Sequence, residues 1–118
     1  MSEASMVFPV LPGKREVLNA FVKALTSEWR AQYDRAKHTV RSESWFFQST
    51  AQGDFVIMHL SAIDPDAVFA GLATSQEPFE TWFREQVKDI TGVDLCVPPP
   101  SLPNRIFHWE RMRSLAER

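Results

Sequence analysis

The chain has 118 residues, 44% of them apolar and 12% aromatic, enough for one ordinary core and too few for two. Thirteen basic against fifteen acidic residues leave a net charge of -2. That balance lacks the basic surplus of a dedicated nucleic-acid binder. A single cysteine, Cys96, excludes an intrachain disulfide. No apolar stretch approaches the roughly 18 residues of a membrane span, and the start Met-Ser-Glu-Ala-Ser does not resemble a signal peptide. The expectation is one domain over residues 1–118, cytoplasmic, with its core at about 6–110 and a polar tail at 111–118.

Residues 6–10 read as a short apolar strand closed by the turn Leu11-Pro12-Gly13, with Pro9 limiting its pairing because it offers no N–H. Over residues 14–37, Val17, Leu18, Phe21, Val22, Leu25, Trp29 and Tyr33 recur at steps of three or four. The spacing predicts one uninterrupted helix of about 36 Å. Arg35, Lys37 and His38 gather at its C-terminal end, where cations complement the helix dipole.

Two β-type runs follow, 41–49 and 54–62, around Thr50-Ala51-Gln52-Gly53. With Gln52-Gly53 as a two-residue turn, Trp45, Phe47, Val56, Met58 and Leu60 share one face of the hairpin. Ser44, Phe46, Gln48, Phe55, Ile57 and His59 share the other. Asp64-Pro65 is a helix start, Thr74 and Glu77 have capping-box spacing, and Gly92 is a stop, which predicts a broken helical segment over 65–91. A proline-rich connector around Pro98-Pro99-Pro100 leads to a last strand at 105–110, where Ile106 and His108 alternate with Phe107 and Trp109.

Four strands and two helical segments in this order predict an α+β, ferredoxin-like βαββαβ domain with an antiparallel sheet. Helices can cover only one face of such a sheet. The other face should alternate to polar where it meets water, yet it carries Phe46, Phe55 and Ile57. Two sheets packed face to face would shelter it, so the expected partner is a second copy, in a dimeric α/β barrel.

The Leu11-Pro12-Gly13-Lys14 turn, the Gln52-Gly53-Asp54 hairpin and the run Phe79-Glu80-Thr81-Trp82-Phe83-Arg84 resemble those of a set of small, uncharacterised bacterial proteins. These are similar to the dimeric α/β-barrel superfamily, with its antibiotic biosynthesis monooxygenases, haem-degrading monooxygenases and stress-responsive barrels. The resemblance implies a homodimer and a cofactor-independent, monooxygenase-like activity on a small apolar or aromatic molecule. Haem-degrading members carry an Asn on the first strand, whereas residues 6–10 contain none, which disfavours that chemistry.

P-loop, GxGxxG, HExxH, CxxC and GxSxG patterns are all missing, so neither a metal nor a cofactor is expected. His59, inside an apolar strand, is the candidate acid or base. Trp45, Trp82, Trp29, Tyr33 and His108 are the candidate ligand-binding residues. The competing reading makes the histidines satisfied structural residues and the aromatics core, in a non-catalytic stress or regulatory interaction module.

Overall fold

The computed structural model describes residues 1–97 and 102–112; the proline connector and the end of the tail lie outside them. The elements run β1 (Ser2–Val10), α1 (Arg15–Leu25), α2 (Arg30–Ala36), β2 (Val40–Thr50), β3 (Gly53–Ala62), α3 (Pro65–Thr74) and α4 (Pro78–Thr91). The sheet is antiparallel with β3 in the middle, order β1-β3-β2. Pro9 therefore sits on an edge strand, where a missing N–H is tolerated. The protein is an α+β fold.

The expected single helix over 14–37 is in fact two. Thr26 Oγ1 and Ser27 Oγ both donate to the Lys23 carbonyl, at 3.2 and 2.7 Å. Such side-chain bonds compete with the helical ladder and turn the chain over 26–29 before α2 begins. Apolar periodicity survived this break because Trp29 and Tyr33 pack on the same core as Leu18 and Phe21.

The hairpin register differs from the expected one by two residues. Thr50 pairs with Gly53 and Trp45 with Met58, so Ala51-Gln52 form the turn. Gly53 has φ +124, and Thr50 Oγ1 accepts from the Gln52 N–H and donates to the Gly53 carbonyl, which secures the corner. A shift of two preserves the side-chain faces, so the expected inner and outer sets both stand.

Asp64 caps α3 by accepting from the Ala67 N–H, with Pro65 in the first turn. The expected capping box at Thr74 is absent: that hydroxyl donates to the Ala70 carbonyl, and Glu77 is the residue that precedes α4. Arg84 bridges the break, donating to the Leu72 and Ser75 carbonyls at 2.8 and 2.6 Å. Gly92 ends α4 in the left-handed conformation, φ 77.

The last strand is the main departure. Residues 102–112 form no ladder with the sheet, and Ile106 and Phe107 are 96% and 80% exposed. Two-sided apolar alternation does not by itself make a strand: β2 and β3 share it and pair with each other, whereas 102–112 is added to neither edge of the sheet. The segment is tied to the body by Arg105, whose guanidinium donates to Glu3 at 2.6 Å.

Helices α1, α3 and α4 cover one face of the sheet. Leu18, Phe21 and Leu25 of α1 meet Phe79, Phe83, Val87 and Ile90 of α4, with Val10 and Val56 beneath. A smaller cluster around Met58, Leu60 and Ala62 packs with Val68 and Phe69 of α3. On the uncovered face, Phe46 is 58% and Val7 53% exposed.

Candidate functional site

The space between the helices and the covered face of the sheet is not completely filled. A cavity of about 70 Å³ remains there. Its wall is almost wholly apolar, with Phe8, Phe21, Trp45, Met58, Leu60 and Phe83 prominent. Only Lys37, Glu43 and Thr91 bring polar side chains to the wall. Thr91 is already committed, donating to the Val87 carbonyl at 2.6 Å.

Glu43 is the unusual residue. Strand alternation puts it on the inner face, two residues before Trp45, and its side chain is 8% exposed. Oε2 accepts from the Tyr33 hydroxyl at 2.6 Å and from Trp45 Nε1 at 2.8 Å. Oε1 is 3.1 Å from Lys37 Nζ, an ion-pair distance, but no donor is aligned with it as a hydrogen bond. A buried carboxylate is tolerable only when paired in this way. Lys37 also lies 5.5 Å from the centre of the Tyr33 ring. Burial, then the neighbouring Glu43 charge, pushes the Tyr33 phenol far above its ordinary value, so it acts as a fixed O–H donor.

Four of the six residues singled out in the sequence belong to this region, in different ways. Trp45 lines the cavity. Tyr33 fixes Glu43 from α2. Trp82 and Trp29 stack on each other, centroids 4.9 Å apart, in the aromatic cluster with Phe21 and Phe79, but neither lines the cavity. Trp29 instead borders a polar surface cleft of about 380 Å³ with Gln32, Arg35 and Glu77.

The two histidines stand elsewhere. His59 is on the uncovered face, where Nδ1 is 2.9 Å from Ser5 Oγ and Nε2 is 3.2 Å from Glu3 Oε1. That bond is the chief reason the Glu3 carboxyl titrates below the usual range, with Arg105 adding to it. Strand parity explains the placement: His59 alternates with Met58 and Leu60, so it points away from the cavity. His108 lies in the exposed 102–112 segment and does not line the cavity. Among the described residues, no group of three or more His, Cys, Asp or Glu side chains could hold a metal ion.

Sequence reasoning missed Glu43 and read Lys37 only as a helix-end cation. The signal was available in the strand period. Extending the Trp45/Phe47 face back by two residues lands a carboxylate among inward-facing aromatics.

No family model matches the chain, and no curated protein matches it. Among solved structures it is similar to tetracenomycin F2 cyclase from Streptomyces glaucescens, a type-II polyketide cyclase, at 20% identity. The match covers 95% of this chain and 87% of that one, with a TM-score of 0.48. No helix among the described residues is long and apolar enough to cross a membrane.

Proposed function

We propose that the protein is a homodimer whose subunits each bind a small apolar or aromatic molecule between the helices and the sheet. The observation that carries the binding half is the cavity itself: an apolar chamber bordered at one side by a buried carboxylate and a half-buried ammonium. Pockets of this composition, apolar with a few placed polar groups, are the usual form of small-molecule sites. Trp45, Tyr33, Lys37 and Glu43 are the residues we assign to it. Trp82 and Trp29 support it from behind as packed aromatics.

The dimer half rests on the uncovered face, where Val7, Phe46, Phe55 and Ile57 form an apolar surface beside the polar Ser5–His59–Glu3 group. Binding ranks above turnover in this reading. The monooxygenase-like chemistry implied by the sequence resemblance would have to use Glu43, Lys37 and Tyr33, because His59 is on the other side of the sheet.

Titration with toluene, followed by tryptophan fluorescence and by NMR of the cavity methyl groups, tests the reading. Saturable binding with shifts at Leu18, Met58 and Leu60 is expected. A cavity that stays unperturbed at millimolar toluene would leave the second reading, a non-catalytic interaction module. That alternative is favoured by the partners of His59, which are satisfied within the sheet.

A further inference from the structure

We infer that residues 102–112 are an exchanged arm: in the dimer, each copy's arm lies in the seam between the two facing sheets and packs on the partner's uncovered face. This deepens the dimer reading above and rests on it.

The uncovered face is graded along its strands. One half is apolar, with Val7, Ile57 and Phe46 aligned across the sheet. The other half is polar, with Ser5, His59 and Ser44 aligned in the same way and Glu3 beyond them. Arg105 roots the arm at Glu3, the polar end. Past this root Ile106, Phe107, Trp109 and Met112 are exposed, and so are Val7 and Phe46 on the face. Arm and face adjoin within one chain, yet neither covers the other.

Side-chain parity selects the occupant. In extended chain Phe107 and Trp109 point to one side, and Ile106 and His108 to the other. Laid on a single sheet, such a segment leaves one side in water; between two sheets it leaves neither. A two-fold axis running across the strands sets the polar half of each face opposite the apolar half of the other. The mixed Ile106–His108 side then rests on the arm's own polar half, and Phe107 and Trp109 meet the partner's apolar half. Reach allows this, because residues 106–112 span roughly 20 Å when extended, against about 10 Å between packed sheets. Area allows it too. Covering an aromatic side chain buries roughly 150–250 Å². Two arms and the surface beneath them therefore come to about the 1,200–2,000 Å² of a stable interface.

The test uses full-length wild type with half of the copies ¹³C-labelled, at a concentration where light scattering shows a dimer. Isotope-filtered NOE spectra are expected to show contacts between copies, from the Phe107 and Trp109 rings to the Val7 and Ile57 methyls. Contacts found only within a copy, or none, overturn the exchange and leave the dimer reading standing. The double variant Phe107→Asp, Trp109→Asp alters side chains exposed in the single chain. It is expected to weaken dimerisation about tenfold or more in sedimentation equilibrium, with an unchanged far-ultraviolet spectrum. Undiminished dimer affinity in this variant also overturns the exchange alone. A wild type that stays monomeric at high micromolar concentration overturns both readings.

Discussion

Tyr33 is the only tyrosine in the chain, which makes its environment directly measurable. Burial and the Glu43 carboxylate both oppose the phenolate, so its folded value is raised above the unfolded one. A raised value means its contribution to stability is full below the unfolded value of about 10 and is lost as pH climbs above it. Native protein should therefore show no rise in phenolate absorbance near 295 nm at pH 10 to 11, while urea-unfolded protein titrates normally. Ordinary titration in the folded state would mean that the Tyr33–Glu43 bond does not hold. Glu43 also marks the limit of residue-scale reading from sequence. The acidic residue lay inside the expected strand 41–49 on the Trp45/Phe47 side, but its burial depends on Tyr33 and Lys37 of the helical segment meeting it, which strand period alone does not announce.

At the scale of elements, turns and caps were legible wherever a residue has one conformational reason to be there. Asp64-Pro65 starts α3 and Gly92 stops α4 as the sequence implies. Breaks made by hydroxyl-to-carbonyl bonds, as at Thr26 and Ser27, were not legible, because the apolar spacing runs straight through them. Two glycines test the distinction. Gly92 adopts φ 77, and a Cβ there would meet Leu11 only at ordinary contact distance, so the cost of Gly92→Ala is backbone strain. A loss of about 1–2 kcal/mol is expected in chemical denaturation. Gly71 lies inside α3, and a Cβ there would meet nothing within 4 Å. Gly71→Ala should stabilise by roughly 0.5–1 kcal/mol. Equal effects of the two substitutions would contradict the assigned backbone geometry.

For the whole molecule, the faces of the sheet were readable even though the hairpin register was not, since a two-residue slip leaves every side chain on its original side. The fourth strand was not readable. Its apolar alternation is real, but whether a segment pairs depends on what stands opposite, and residues 102–112 are joined to the body by the Arg105–Glu3 bond rather than by a strand ladder. The proposed dimer is tested on the uncovered face. Wild-type protein should elute as a dimer at micromolar concentration by light scattering. Phe46→Lys, placed on a residue that is 58% exposed, should yield a monomer with an unchanged far-ultraviolet spectrum. A monomeric wild type, or a variant that dimerises as before, would count against that face.

The break at 26–29 has a consequence for the local stability of the residues that hold Glu43. It detaches Tyr33 and the flanking Lys37 from the well-anchored α1 and hands them to α2, seven residues long and without one fully buried side chain. The phenol and ammonium at the polar end thus ride on a short, lightly seated turn, while the apolar wall is shared among α1, α3, α4 and all three strands. Local opening of so small a unit costs far less than unfolding the domain. Amide hydrogens of α2 are therefore expected to exchange ahead of those of α1, α4 and the central strand.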